Sequence, residues 1–295
     1  MRKLRTIDLF CGSGAVMWGQ QLAGMDPIYG VDRDHEALDT TRAAGFAAAY
    51  CDLQHGPSLL ALLMPFRGSV DVLSASPPCQ GWSGLGKKKR ASDRREAAGI
   101  CVTAAVTVGA RWLVIENVMG LASSLYGQRL MEDARDKMGW ATWWNLDAAD
   151  YGVAQHRRRC FLVAGPHELV QPATCPMVNV RDVLPDIGAP AIRQEQVTAV
   201  SRSVSRPSPT VNTRGTIYTH PEVGVRRNKG DRVAGRRLTW QELALLQSFP
   251  PDYPFRGKTQ GANHRLVGNA VPPILAAHVF RRIVRDHEEK SRDSS

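Results

Sequence analysis

Short apolar runs alternate with longer amphipathic stretches through the first 165 residues of the chain. This alternation is typical of βαβ units and predicts an α/β fold, in which a mostly parallel sheet carries helices on both faces. The amphipathic stretches predict helices, including 16–22, 35–43 and 129–137. The apolar runs predict seven strands, at 6–10, 27–31, 47–50, 70–75, 112–115, 142–146 and 160–163.

The following region lacks this periodicity and is rich in Pro, Ser, Thr and Arg. Residues 167–237 contain 11 Lys and Arg against 6 Asp and Glu, and the segment looks like loop. Helical periodicity returns at 240–246, and an apolar stripe predicts a helix over 272–287. We therefore predict a large domain at 1–165, a short basic insertion at 166–236, a return to the large domain at 237–287 and a disordered tail at 288–295.

The composition favours a polyanionic partner. The chain has 295 residues, 43% of them hydrophobic, which is enough to bury a full-sized core. Its formal net charge is +10 and its pI is about 9.6. Lys and Arg side chains that replace the counterions of phosphates gain affinity from ion release. No amphipathic basic helix stands out for binding a membrane surface, so we expect nucleic acid and not a membrane as the partner.

The cysteines and the start of the chain indicate the compartment. The six cysteines show no CxxC spacing and no paired histidine pattern, so neither a zinc site nor a disulfide framework is expected. No secretory segment opens the chain, and no apolar run approaches membrane-spanning length. We expect a soluble cytoplasmic protein, associated with the nucleoid if the source is bacterial, that binds no metal.

A candidate nucleophile follows the predicted strand at 70–75. The sequence there is PPCQ, so two prolines stiffen the backbone immediately before Cys79. The glycine-rich segment 81–86 comes next and has the composition of a loop that closes over a site. A structural cysteine would instead sit inside an apolar run, so Cys79 is a candidate nucleophile, although this motif alone leaves a structural role open.

Five further motifs accompany PPCQ. They are DLFCGSG at 8–14, ENV at 116–118, QHRRR at 155–159, RLTWQE through LQSFP at 237–250 and GNAVPP at 268–273. In this order and spacing, the motifs closely resemble those of the DNA (cytosine-5) methyltransferases. The resemblance extends from residue 6 to about residue 280, with a less matched stretch between about 170 and 235.

The resemblance implies a covalent mechanism. Carbon 5 of cytosine is a poor nucleophile until a thiolate, assigned to Cys79, attacks carbon 6. Glu116 would donate a proton or hydrogen bond to ring nitrogen 3, and Arg159 would meet the charge on the carbon 2 oxygen. Arg157 would support the site, and Gln155 begins the same motif. No side chain is nominated for removing the carbon 5 proton, for which water is expected.

A cofactor site is expected at the glycine turn. Gly12 and Gly14 follow the first strand, where a Rossmann-like methyltransferase sheet binds a nucleotide-type ligand. Asp32 suits the ribose hydroxyls and Asp52 suits the adenine amino group, a set that fits S-adenosylmethionine. The family more often has Glu at position 32 and a bulky apolar residue where this chain has Arg33, so the adenine face is expected to be covered differently. By resemblance, the site also includes Phe10, Leu53, Pro78, Asn269 and Val271.

DNA binding is expected at two places. A cytosine inside a duplex must be flipped out of the stack, and the segment 81–90 would close over the flipped base. Region 166–236 corresponds to the family's target-recognition region and is short, so we expect a recognition sequence of about two to four base pairs. We expect a monomer on double-stranded DNA. The candidate DNA contacts are Gln80, Ser83, Lys87, Lys88, Arg206, Thr210, Asn212, Thr213 and Arg214.

Three other interpretations remain open from the sequence. One branch of the family methylates tRNA, but its Cys-Phe-Thr signature is absent here. A catalytically silent DNA-binding relative would have no need of Cys79, Glu116 and Arg159 together. A Rossmann oxidoreductase would explain Asp32 but would leave the PPCQ and ENV motifs without a role.

Overall fold

The computed structural model describes residues 2–53, 56–78, 92–195, 200–226 and 235–293, with 92–96 and 293 described by their backbone alone. Seven strands form the larger sheet of this part: β1 Arg5–Leu9, β2 Asp26–Asp32, β3 Ala48–Tyr50, β4 Val72–Ala75, β5 Trp112–Asn117, β6 Trp140–Asp147 and β7 Arg158–Gly165. Their order across the sheet is β3-β2-β1-β4-β5-β7-β6. The first five strands pair in parallel, whereas β7 is antiparallel to β5. The predicted α/β class with a mostly parallel sheet is confirmed, and all seven predicted strands are present.

Helices occupy the intervals between the strands. In the described residues they are α1 Ala15–Leu22, α2 His35–Ala43, α3 Gly56–Leu63, α4 Ser92–Val108, α5 Met119–Ala122, α6 Leu125–Met138, α7 Val180–Val183, α8 Trp240–Leu246, α9 Gln260–Asn269 and α10 Pro273–Asp293. Short 3-10 turns lie at Met64–Phe66 and Ala148–Tyr151. The three helices predicted within the first 165 residues are all present.

Polar residues determine where several helices begin. Asp34 accepts hydrogen bonds from the N–H groups of Glu36 and Ala37 at the start of α2, at 3.0 and 3.3 Å. Ser124 accepts one from Gly127 at 2.9 Å, so α6 begins four residues before the predicted start at 129. Such caps satisfy N–H groups that have no partner within the helix.

The last helix is longer than expected. Helix α10 continues to Asp293, so the prediction of a disordered tail is wrong for residues 288–293. His167, just after β7, lies 2.9 Å from the Asp286 carboxylate of α10. Lys290 lies 3.4 Å from the same carboxylate, one turn further along, and also hydrogen-bonds His167. These contacts stabilise the final turns because they attach them to the segment that leaves the sheet.

The inserted region contains regular structure that the sequence did not predict. Its three short strands, β8 Ala191–Gln194, β9 Arg202–Ser203 and β10 Ile217–His220, form an antiparallel sheet in the order β10-β8-β9. By contacts the chain divides into two compact units, one of residues 1–146, 158–172 and 276–295 and the other of residues 147–157 and 173–275. The segments 147–157 and 237–275, both expected in the large domain, therefore group with the inserted region.

The core of the first unit explains why the strands are continuous apolar runs. Strands β1 and β4 lie in the middle of the sheet, and all four residues of β4 are buried. Close packing also restricts residue size at the end of β7. A Cβ added to Gly165 of β7 would lie 2.1 Å from the Trp112 ring, so only glycine fits there.

A buried polar chain crosses the base of this core. Thr6 donates to Gln20 at 2.8 Å, Gln20 donates to Ser74 at 2.8 Å, and Ser74 donates to one Asp8 carboxyl oxygen at 2.6 Å. The other Asp8 oxygen is buried without a hydrogen-bond partner among the described residues. Burial raises the pKa of Asp8 to about 7, although the Ser74 hydrogen bond acts in the opposite direction. A neutral carboxyl group is therefore the stable form below that pH.

We expect Asp8→Asn to reduce the pH dependence of stability. The pKa of the Asp8 carboxyl group is about 4 in the unfolded chain and about 7 in the folded one. Between these two pH values the folded state therefore binds more protons than the unfolded state. The free energy of unfolding consequently falls as the pH rises. Urea unfolding should show the wild type losing up to about 2 kcal/mol between pH 5 and pH 7 relative to Asp8→Asn. Equal losses in the two proteins would contradict the assignment.

Candidate active site

Glu116 and Arg159 lie on adjacent antiparallel strands and contact each other. Glu116 is the penultimate residue of β5, and Arg159 is the second residue of β7. The Arg159 Nε atom lies 3.0 Å from Glu116 Oε1, and the two side chains are only 15% and 13% exposed. The ion pair is stronger here than at the surface because water screens it less. The guanidinium group therefore orients the carboxyl group.

Asn117 connects this pair to the backbone that leads to Cys79. Its Nδ2 atom donates a hydrogen bond to the Pro77 carbonyl oxygen at 3.0 Å. On the other side, the Ser76 N–H donates to the Leu9 carbonyl at 3.1 Å, which extends the pairing of β4 with β1. The backbone two residues before Cys79 is thus held by both neighbouring strands.

The predicted nucleophile and the loop after it lie outside the described residues. This applies to Cys79, Gln80, Ser83, Lys87 and Lys88. Pro78 is the last described residue before them and is half-buried. The roles assigned to these side chains therefore stay predictions.

The glycine turn after β1 has an unusual backbone. Phe10, Gly12 and Gly14 all have positive φ, at 55°, 53° and 78°, and the turn leads into the first residue of α1. A Cβ added to Gly12 would meet no atom of the described residues within 4 Å, so the space beside it is open. Thr41 of α2 donates to the Gly12 carbonyl at 2.8 Å and holds the turn in place.

Asp32, at the end of β2, faces this turn. One carboxylate oxygen accepts the Gly12 N–H at 2.8 Å, and the other accepts the N–H groups of Arg33 and Asp34 at 2.7 and 2.9 Å. Burial raises the pKa of Asp32 above its usual value, and the three backbone hydrogen bonds act in the opposite direction. Two carboxylate oxygens can accept about four hydrogen bonds, so some capacity remains for a ligand.

The ends of β2 and β3 form the neighbouring part of this edge. Arg33 Nη1 lies 3.9 Å from Asp52 Oδ1, with both side chains about half exposed. An exposed pair at this distance contributes little to stability and separates easily. The His35 and Tyr50 rings stack beside it, with centroids 4.8 Å apart, and Leu53 is fully buried. The predicted residues Asp32, Asp52 and Leu53 therefore lie along one edge of the first unit.

Gln155 and Arg157 are structural residues of the second unit. Arg157 is 2% exposed, and its two terminal nitrogens donate to the carbonyls of Val211 and Gly268 at 2.9 and 3.0 Å. The Gln155 amide accepts the Val211 N–H at 2.7 Å and donates to Gln247 at 2.8 Å. Both side chains are therefore engaged by the backbone segments around 211 and 268. Of the cofactor residues predicted nearby, Asn269 is exposed and Val271 is buried.

Some of the candidate recognition residues are exposed to solvent, whereas others use their side chains in hydrogen bonds within the protein. Arg206, Thr213 and Arg214 are exposed. The Thr210 hydroxyl donates to the His156 carbonyl at 2.7 Å, and the Asn212 amide nitrogen donates to Thr216 at 2.9 Å.

Sequence reasoning missed two residues that organise these sites. Asn117 and Gln247 both belong to motifs that were recognised, but neither was assigned a role. Gln247 is fully buried and donates to the Val267 carbonyl at 2.7 Å. A polar residue inside an otherwise apolar helical stretch, as Gln247 is at the end of α8, is the sequence signal that would have identified it.

The fold and this site together define the class of protein. The sheet order, the glycine turn after β1 and the carboxylate at the end of β2 are features of α/β proteins whose ligands bind at the carboxyl ends of the strands. The chain belongs to the C-5 cytosine-specific DNA methylase family, whose model matches residues 4–185 and 186–285. It is a DNA (cytosine-5) methyltransferase, and its reaction requires a methyl donor.

Individual relatives agree with this family. The chain is 28% identical to the type II methyltransferase M.HgiDI of Herpetosiphon aurantiacus, over 92% of each chain. It is 27% identical to M.HindV of Haemophilus influenzae, over 98% of this chain and 99% of that one. Two solved structures share its fold. The Entamoeba histolytica methyltransferase EhMeth is 13% identical with a TM-score of 0.75, and the S. pombe Dnmt2 methyltransferase is 16% identical with a TM-score of 0.68; each comparison covers 97% of this chain and 99% of the other.

Neither a membrane-spanning helix nor a metal-binding cluster is present in the described residues. No helix among them is long and apolar enough to cross a membrane. In the same residues, no group of three or more His, Cys, Asp or Glu side chains is arranged to bind a metal ion.

We expect Asn117→Ala to slow methyl transfer. The substitution removes the hydrogen-bond donor to the Pro77 carbonyl, so the backbone before Cys79 can move. A reacting group that is misplaced by about 1 Å can cost about 100-fold in rate. Single-turnover rates should fall by roughly 10- to 100-fold. The control is Ser76→Ala in the same loop, since the buried Ser76 hydroxyl has no hydrogen-bond partner among the described residues. A wild-type rate in Asn117→Ala would contradict the role.

Proposed function

We propose that this chain transfers the methyl group of S-adenosylmethionine to carbon 5 of a cytosine in DNA, through a covalent bond between Cys79 and carbon 6. One observation carries the assignment of the residues. Glu116 contacts Arg159, and the adjacent Asn117 holds the Pro77 carbonyl two residues before Cys79. The acid and the guanidinium group lie on the neighbouring strands β5 and β7, and in this proposal the thiol is supplied by the segment that follows β4, the strand on the other side of β5.

Each residue then has a defined chemical step. The Cys79 thiolate forms a bond to carbon 6 and moves an electron pair toward ring nitrogen 3. Glu116, which must be protonated when cytosine binds, gives a proton to that nitrogen, and Arg159 donates a hydrogen bond to the carbon 2 oxygen as its negative charge grows. Carbon 5, now part of an enamine, would take the methyl group, while the sulfur of the donor keeps the electron pair of the broken bond and leaves as a neutral thioether. Water removes the carbon 5 proton, the double bond re-forms, Cys79 leaves as the thiolate and Glu116 recovers its proton.

S-adenosylmethionine would supply an electrophilic methyl group when bound at the glycine turn. The open space beside Gly12 and the positive φ of the turn fit a ligand that approaches the backbone closely. Asp32 would bind the ribose hydroxyls with its remaining acceptor capacity, and Asp52 would accept from the adenine amino group. Phe10, Gly14, Leu53, Pro78, Asn269 and Val271 complete the proposed site by their match to the family motifs.

Region 166–236 is proposed to recognise the target, and the segment 81–90 to close over the flipped cytosine. The second unit contains residues 173–236 of this region together with residues 147–157 and 237–275. We propose that a monomer binds double-stranded DNA, with the cytoplasm as its compartment. The relatives M.HgiDI and M.HindV are type II methyltransferases, so a modification role beside a restriction enzyme is proposed. The proposed DNA contacts are Gln80, Ser83, Lys87, Lys88, Arg206, Thr210 and Arg214.

We expect Cys79→Ala to abolish methylation while DNA binding persists, because only the covalent step needs the thiol. Purified protein and S-adenosylmethionine are incubated with mixed-sequence duplex DNA and, separately, with bulk tRNA, and 5-methylcytosine is mapped at base resolution. Binding to the same DNA is measured by gel shift. The wild type should methylate DNA in one short sequence context.

The control is Cys175→Ala, because Cys175 is half-buried and outside the proposed site. It should methylate like the wild type. Methylation by Cys79→Ala would contradict the nucleophile assignment. Methylation of tRNA alone would contradict the assignment of DNA as substrate and favour the RNA branch of the family.

A further inference from the structure

We propose that the turn at residues 212–216 reads a guanine of the recognition sequence through Arg214, an inference that rests on the proposed function of region 166–236. Thr213 and Arg214 are the exposed residues of this turn, and residues 211 and 215 on either side of them are buried. The turn lies wholly in the second unit. The backbone around Arg214 is organised far more strongly than an ordinary surface loop requires.

The turn is first stabilised from within by Asn212. Its side-chain oxygen accepts the Arg214 N–H at 3.0 Å, and its side-chain nitrogen donates to the Thr216 hydroxyl at 2.9 Å. Its carbonyl accepts the Gly215 N–H at 3.1 Å. Gly215 has a φ of +59°, a conformation that glycine adopts without strain. The turn therefore has one preferred conformation in the absence of DNA.

Buried side chains then hold the residue before the turn. Gln155 accepts the Val211 N–H at 2.7 Å, and Arg157 donates to the Val211 carbonyl at 2.9 Å. Neither side chain is more than 2% exposed. Burying an amide or a guanidinium group without hydrogen bonds costs free energy. Here both groups hydrogen-bond to the backbone of Val211. The position of Val211 is therefore coupled to the centre of the second unit.

Arg237 holds the other side of the turn. Its guanidinium group donates to the Gly215 carbonyl at 2.7 Å and also to the Arg214 carbonyl. The residue before it, Arg236, makes a two-pronged ion pair with Glu242 at 2.6 and 2.8 Å, and Glu242 caps the start of α8. The backbone that carries Arg237 is therefore attached to a helix, so Arg237 fixes the carbonyl of Arg214 itself.

Helix α9 packs against the same turn. A Cβ added to Gly215 would lie 2.0 Å from the His264 ring, and one added to Gly268 would lie 2.4 Å from the Asn212 carbonyl carbon. Neither glycine can be replaced without moving the turn or the helix. The turn thus contacts α9 on one side and presents Thr213 and Arg214 on its exposed part.

This arrangement suits direct reading of a base. Arginine makes two parallel hydrogen bonds to O6 and N7 of guanine in the major groove, and their geometry requires a fixed backbone. A phosphate contact needs only a positive charge within reach and tolerates a mobile loop. Arg206 is also exposed, but among the described residues side chains do not hold its backbone as they hold that of Arg214. The Arg206 N–H donates to the Ser203 carbonyl, and the Arg206 carbonyl accepts the Val180 N–H. We assign Arg214 to a base and Arg206 to a phosphate.

The test measures methylation of duplex DNA with randomised bases around the cytosine, sequenced at base resolution. The wild type should require guanine at one position. Arg214→Ala and Arg214→Lys should both lose roughly 10- to 100-fold of that preference while they still methylate. Lysine keeps the charge but cannot form the paired hydrogen bonds. Arg206→Ala should lower the rate on all sequences and weaken its salt dependence, with the guanine preference intact.

Arg237→Lys tests the positioning residue. It should relax the guanine preference at the same base of the recognition sequence as Arg214→Ala does, although Arg237 itself contacts no base in this proposal. Thermal unfolding of each variant checks that the fold is retained. An unchanged preference in Arg214→Ala, or full preference in Arg214→Lys, would overturn the inference while the proposed function stands. A wild type without any guanine requirement would do the same. A wild type that methylates no duplex DNA would overturn the proposed function as well.

Discussion

The antiparallel pairing of β7 with β5 is the constraint on which the catalytic site depends. The pairings of β1 with β2, β2 with β3, β1 with β4 and β4 with β5 are parallel, and parallel strands place their carboxyl ends at one edge of the sheet. Because β7 runs the other way, its beginning lies beside the end of β5, and Arg159 meets Glu116. The reversal thus brings a basic residue at the start of one strand beside an acidic residue near the end of another.

The QHRRR segment serves two different parts of the protein. Gln155 and Arg157 are buried in the second unit and bind backbone atoms at 211 and 268, whereas Arg159 belongs to the first unit and binds a carboxylate. Two arginines in one motif therefore have different physical roles. Arg157 satisfies carbonyl groups inside the protein, and Arg159 retains the partly exposed position that a substrate contact requires.

The edge of the first unit that is proposed to bind the cofactor, at the ends of β2 and β3, departs from the family pattern at Asp32 and Arg33. Asp32 has a shorter side chain than the glutamate more common at that position, and it lies close enough to the turn to accept the Gly12 N–H. Arg33 occupies the position of a bulky apolar residue and contacts Asp52 across a weak, half-exposed ion pair. Under the proposed function, adenine binding would compete with that pair for Asp52.

The sequence alone determined the α/β class, all seven strands of the larger sheet and the family to which the chain belongs. These features are encoded locally, since apolar periodicity, glycine turns and motif order depend on neighbours along the chain. The lengths of α6 and α10, the three-stranded sheet of the inserted region and the grouping of 147–157 with the second unit were decided by tertiary structure. So were the hydrogen bond from Asn117 to Pro77 and the contacts of Arg237 with the 212–216 turn. Each of these contacts joins residues 22 to 40 positions apart, and only the folded chain brings such groups together.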